Sequence, residues 1–214
     1  MTHKEPNVIP SAFWDRSSST DRTVLPWQEH YFPTPWTNRR DGATLALTEN
    51  LHLVVGGQAP QGQALRSVEA VEWGVRRSWR FPSLTKSRIG CGVAKLGDRV
   101  FCLGGLSMTT GDDEDSSPPL VLASVEGLTY APPNISSWQE EQSSLTTPRW
   151  APAVVTLQDK YIFCLGGRNA AWEEVSTAEV GMLRSEEADG DGGPSALVWS
   201  KLPYAMQEKR LTFI

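Results

Sequence analysis

The stretch FCLGGL at 101–106 has near-copies before and after it, LVVGGQ at 53–58 and FCLGGR at 163–168. An apolar run ending in two glycines, written three times in one chain, is the mark of a repeat. Self-similarity of that kind decides the architecture before local propensity does. The size of the repeated unit follows from working outward from each copy.

Tryptophan and arginine recur at matched distances. Trp27 precedes Arg39 by 12 residues, Trp79 precedes Arg88 by 9, Trp138 precedes Arg149 by 11 and Trp199 precedes Arg210 by 11. After each of the first three arginines comes a half-alternating run, DGATLAL (41–47), GCGVAKL (90–96) and APAVVTL (151–157), and each predicts a strand. Short polar turns, TEN, GDR and QDK, lead into LHLVVGG, VFCLGG and YIFCLGG, so each pair predicts a tight hairpin. A third strand aligns at SVEAVEW (67–73), SVEGLTY (124–130) and TAEVGML (177–183), and the tryptophan marks a fourth. The unit is four antiparallel strands in about 50 to 62 residues.

Such a sheet cannot bury both faces alone, so neighbours must stack on it. A second strand covered on both sides need not alternate, which accounts for its unbroken apolar run. The glycine pair falls where that strand leaves the sheet. There the missing Cβ permits positive φ and close backbone approach beside a bulky aromatic. A phosphate-cradling loop would need a following helix or a Lys-Ser/Thr ending, and GGLSMTTG and GGRNAAWE supply neither.

These residues resemble the kelch repeat family, whose propeller blades carry a Gly-Gly pair after strand two, an aromatic on strand three and a tryptophan on strand four. The matching positions are Gly56-Gly57, Trp73 and Trp79; Gly104-Gly105, Tyr130 and Trp138; and Gly166-Gly167 and Trp199, with Leu183 in place of the third aromatic. The resemblance covers residues 39–210 and implies an all-β fold, an incomplete kelch-type β-propeller. Its three four-stranded antiparallel blades fall at about 28–79, 80–138 and 139–199, within a propeller segment spanning 27–214, and 200–214 begins a fourth. Kelch-like propellers close with about six or seven blades, and propellers in general with four to eight. Three units leave a sheet face bare at each end, to be covered by self-association, by another chain or by missing blades. Truncation is the simplest reading, because the sequence given stops four residues into the strand after Arg210.

Composition agrees with an all-β chain. Fifteen prolines and 18 glycines among 214 residues point to many turns rather than long helices. Residues 1–26 are polar and without periodicity, an extended or disordered lead. A net charge of -5 argues against nucleic-acid partners and makes basic partners more plausible than anionic ones. No run approaches eighteen apolar residues and MTHKEPNVIP has no signal-peptide core, which predicts a cytoplasmic protein with no membrane segment. The three cysteines, Cys91, Cys102 and Cys164, form no metal-spaced pair and read as reduced core thiols, with Cys91 diagonally across a hairpin from Cys102. Without a secretory signal, the NIS sequon at 134–136 reads as chance.

Candidates for chemistry are few. His52 is the one histidine on a predicted strand, and with no second ligand at metal spacing it reads as a packed side chain. The copper oxidases built on kelch-like propellers need more imidazoles than this. Cys102 and Cys164 share a repeat position with Val54 and behave as small apolar groups. The acidic insertion RSEEADGDGGPS (184–195) is not an EF-hand, since its twelfth position counted from Asp189 is Ser200. It and GDDEDSSPP (111–119) read as solvated loops.

Strand direction puts the loops between strands two and three on one face with the connections between units. That face would display Arg39, Arg66, Arg88, Arg149, Arg168, Trp150 and Trp172. Arg39, Arg88 and Arg149 are in register and read as structural partners of the repeated Glu69, Glu126 and Glu179. Arg66, Trp150, Arg168 and Trp172 are the candidate partner-binding residues, because arginine and tryptophan dominate binding hot spots; Arg168 and Trp172 lie off the register. The expectation is a non-catalytic protein-interaction scaffold, with no cofactor and no metal, whose partner is a protein or peptide. The alternative is a fragment of a kelch-like propeller enzyme or carbohydrate-binding protein, akin to sugar mutarotases or galactose oxidases.

Overall fold

The computed structural model describes residues 9–10, 29–30, 37–108, 118–184 and 196–206, and among them there is no helix. Two short strands, β1 (Ile9–Pro10) and β2 (Glu29–His30), pair with each other. Apart from Ile9 and Pro10, the lead at 1–26 lies outside the described residues, as do most of the acidic insertions and residues 207–214.

The first sheet is β3 (Ala43–Ala46), β4 (Leu51–Val55), β5 (Val68–Glu72) and β6 (Arg77–Phe81), antiparallel and in chain order. The second is β7 (Gly92–Leu96), β8 (Arg99–Leu103) and, beyond the small hairpin β9 (Leu106–Ser107) and β10 (Leu120–Val121), β11 (Val125–Ala131). Its fourth place is shared by β12 (Asn134–Ile135), which pairs with Tyr130 and Ala131, and β13 (Gln139–Glu140), which pairs with Glu126 and Gly127. The third sheet is β14 (Ala153–Leu157), β15 (Tyr161–Leu165), β16 (Thr177–Arg184) and β17 (Ala196–Ala205). The fourth strands run a few residues past the expected unit ends, β6 to Phe81 and β17 to Ala205.

The sheets stack face to face, and their alternation explains the core. One apolar cluster joins Leu53, Val55 and Phe81 of the first sheet to Val100, Cys102 and Trp138 of the second. The next joins Ala94, Leu96 and Phe101 of the second to Ile162, Cys164 and Trp199 of the third. The cysteines thus pack as small apolar groups. All three are free thiols, the Cys91–Cys102 pair included.

One alignment needs correction. Trp138, just ahead of β13, and Trp199, on β17, each reach back onto the preceding sheet. Trp79 instead faces forward, partly buried on the cluster shared with the second sheet, and pairs across from Ala70, whereas Trp199 pairs across from Gly181. Measured from the repeated glutamates, Ala70 follows Glu69 by one residue and Gly181 follows Glu179 by two. Side chains alternate with period two, so that single offset turns the indole to the other face. Arg77 lies over its ring, 4.7 Å from the centroid.

The outer face of the third sheet differs from its equivalents. Ala94 and Leu96 are each 1% exposed against the third sheet, whereas Val155 and Leu157, at the same strand positions, are 52% and 49% exposed. Removing the buried leucine leaves a cavity and removing the exposed one does not. Leu96→Ala is therefore expected to lower unfolding free energy by about 2–4 kcal/mol and Leu157→Ala by no more than about 0.5 kcal/mol, read by chemical denaturation.

Candidate functional site

Each unit is fastened by one arginine. The Arg88 side chain has no exposed surface; its guanidinium donates to the carbonyls of Gly104 (2.7 Å) and Ser124 (2.9 Å), to Ser124 Oγ (3.0 Å) and to Glu126. The Glu126 carboxylate also accepts the backbone N–H groups of Thr85 and Lys86. Arg149 repeats the set with Gly166, Thr177 and Glu179, the last also accepting from the N–H groups of Thr146 and Thr147. Arg39 does the same with Gly56, Ser67 and Glu69. Burial lowers the Arg39 pKa, and Glu69 opposes that shift. These three arginines are therefore not displayed on the loop face. They act as the partners of the repeated glutamates.

The glycine pairs close the same device. Gly56 and Gly57 have φ of 61° and 102°, and Gly104 and Gly105 of 59° and 93°. Gly57 N–H donates to Arg88 O (2.7 Å) and Gly105 N–H to Arg149 O (2.8 Å), so each pair is tied to the arginine backbone of the next unit. A Cβ on Gly56 would stand 2.5 Å from Arg88 O. A carbonyl, rather than the bulky aromatic expected from sequence, crowds the site.

Around this frame the leading segments of the three sheets converge on a depression of about 110 Å³. Gly90 N–H donates to Asp41 O and Ala151 N–H to Gly90 O, and all three residues hold positive φ. Trp150 forms part of the rim, and a Cβ on Gly90 would stand 2.7 Å from its Nε1. Trp150 also packs on the small cluster of Ile89, Leu106 and Val121.

Three of the four candidate binding residues come together around Trp150. Trp150 and Arg168 exchange two backbone hydrogen bonds of 2.8 Å, and Trp172 meets Trp150 edge-on with ring centroids 5.6 Å apart. Arg168 Nη2 lies 3.8 Å from Glu174. Arg66 belongs to the first unit, where its Nε donates to Leu84 O (3.0 Å). Arg168 and Trp172 prove to be in register after all, opposite Gln58 and Gly62 of the first unit. Asn169, which the sequence did not single out, shapes the loop by accepting the N–H groups of Ala171 and Glu173.

The other titratable groups serve packing. His52 Nδ1 accepts from Trp73 Nε1 (3.0 Å), and burial lowers its pKa. Burial pushes the Cys164 thiol up to about 12. Burial likewise raises Cys102, with its bond to Cys91 adding to the rise, while that same bond holds Cys91 below its ordinary value. Among the described residues no group of three His, Cys, Asp or Glu could hold a metal ion, and no helix is long and apolar enough to cross a membrane.

No family model matches the chain, and no curated protein matches it. Among 158 matching solved chains is "Structure of YjhT", which aligns with a TM-score of 0.64 and 11% identity. The alignment covers 81% of this chain and 48% of that one, so the chain spans about half the length of that structure. The likeness is one of fold.

Two outcomes are expected. Glu126→Gln or Arg88→Met leaves half of a buried ion pair uncompensated and should cost about 3–5 kcal/mol of stability, measured by urea unfolding. His52 is harder to protonate folded than unfolded, so its contribution is present above about pH 6.5 and is lost as pH falls below it. A His52→Gln variant should show a flatter fall in stability between neutral and mildly acidic pH.

Proposed function

We propose that the three stacked sheets are successive blades of a kelch-type β-propeller, open in this chain, and that it serves as a non-catalytic interaction module. Its partner is a protein or peptide held on the loop face that carries Trp150, Arg168 and Trp172. The observation that carries this reading is the meeting of the exposed Trp172 indole with Trp150, which lines the depression and exchanges backbone hydrogen bonds with Arg168. Those residue types supply large contact area and directional hydrogen bonds, and they stand on a loop held by a rigid frame.

The blade reading rests on the threefold Arg–Glu–Gly-Gly device and on the fold likeness to a longer chain, 48% of which the alignment covers. In this reading the exposed Val155 and Leu157 form the seat for a further blade, because their equivalents are seats already occupied. An enzyme fragment would require acid and base side chains to converge on the depression. Its lining is largely glycine, alanine, valine and proline, with Asp41 and Cys91 as its titratable members.

A photo-crosslinking residue tests the binding face. Placed at Ala171, beside Trp172, it is expected to trap a discrete partner in cells that make the protein. Placed at Lys160, in the hairpin turn at the other end of β15, it should trap none. Equal labelling from both positions, or none from Ala171, would refute the assignment.

A further inference from the structure

The loop that presents Trp172 has a twin in the first unit. In one, Gln58 bridges Arg40 and Ala64, Ala59 N–H donates to Gln63 O and Gly62 N–H to Ala59 O. In the other, Arg168 bridges Trp150 and Glu174, Asn169 N–H donates to Glu173 O and Trp172 N–H to Asn169 O. Gly62 and Trp172 thus occupy the same position in the same turn. Gly62 holds φ of 91° there and Trp172 a φ of 62°.

Left-handed backbone suits glycine and is a marked outlier for a bulky aromatic. Packing gives no reason for the exception: a Cβ on Gly62 meets nothing within 4 Å, and Trp172 is 45% exposed. Its contact with Trp150 orients the ring without burying it. Strain kept at an exposed position is a pointer to binding. The charge beside the ring names the ligand. Glu173 and Glu174, the two residues after Trp172, are both exposed: Glu173 accepts a hydrogen bond from Asn169 Nδ2 (3.1 Å), which leaves its charge in place, and Glu174 is offset, among the described residues, only by Arg168 at 3.8 Å, within a chain of net charge -5.

We infer that Trp172 is the anchor of a basic-peptide site, its indole taking a partner's lysine or arginine side chain by cation–π contact while Glu173 and Glu174 attract the charge. This rests on the partner-binding reading above and adds the chemistry of the partner. Asn169 is a positioning residue, holding the turn that presents the ring.

The test titrates the 214-residue chain, at physiological salt, with oligolysine, oligoglutamate and oligoproline peptides of equal length. Wild type is compared with Trp172→Ala and Trp172→Gly, and melting temperatures are measured alongside. Oligolysine is expected to bind wild type, and both variants to bind it about 5- to 30-fold more weakly. The two variants lack the same ring and differ only in the left-handed residue, so the glycine variant should melt about 2–4 °C above the alanine one. Oligolysine binding that ignores both substitutions would reduce the effect to bulk charge and overturn the inference. Trp172-dependent binding of oligoproline or oligoglutamate would overturn the cationic chemistry while leaving the partner-binding reading intact. Binding of none of the peptides, or a glycine variant that melts no higher than the alanine one, would also overturn it, and the partner-binding reading would then stand or fall on the crosslinking at Ala171.

Discussion

A buried guanidinium holds this molecule together. Arg88 and Arg149 are fully enclosed, and each binds a glutamate, two backbone carbonyls and a hydroxyl within its own sheet. An ion pair taken out of water is tolerable only when its remaining donors and acceptors are all met, and here neighbouring backbone groups meet them. The arrangement joins three parts of each unit: the connection ahead of the first strand, the glycine turn after the second and the start of the third. The arginine's own carbonyl accepts a hydrogen bond from the glycine pair of the preceding unit, so the fastening of one sheet is also its attachment to the next.

That double duty explains why glycine is required where it occurs. Gly57 and Gly105 offer their N–H groups to a carbonyl that stands too close to Gly56 and Gly104 for either to carry a Cβ, and all four hold a left-handed conformation. The apolar sheet faces then need only complementary volume. Leucine, valine, phenylalanine and cysteine interchange across equivalent positions, as Val54, Cys102 and Cys164 do. Polar geometry fixes the spacing of the sheets, and apolar burial supplies most of the driving force.

A rigid frame of this kind frees the loops to vary. The turn after the glycine pair keeps its hydrogen-bond pattern in the first and third units while its apex changes from Gly62 to Trp172. The position after each frame arginine likewise changes, from Arg40 and Ile89 to Trp150, and of the three Trp150 lines the depression. Residues that repeat belong to the frame, and residues that break the repeat at a conserved geometry are those available for recognition.

Much of this was legible in the chain. The hairpins, the third strands and the Arg–Glu pairing follow from three in-register copies, because a repeat exposes which positions are constant. The Trp79 face was not legible: spacing along the chain aligned it with Trp138 and Trp199, but only strand pairing reveals a one-residue shift. The match of Trp172 to Gly62 could be counted, each lying five residues past the second glycine of its pair, but only the shared hydrogen bonds show that the two turns are the same. The divided fourth strand of the second sheet, β12 and β13, was hidden for the same reason.

By itself, then, the sequence determined the class of fold and the roles of its constant residues, since periodic patterning and the bending demands of glycine are local properties. The tertiary structure alone decided which faces are covered, which indole looks forward or back, and which three of four candidate binding residues meet. Those outcomes depend on pairing register and on contacts between sheets, which join residues far apart in the chain.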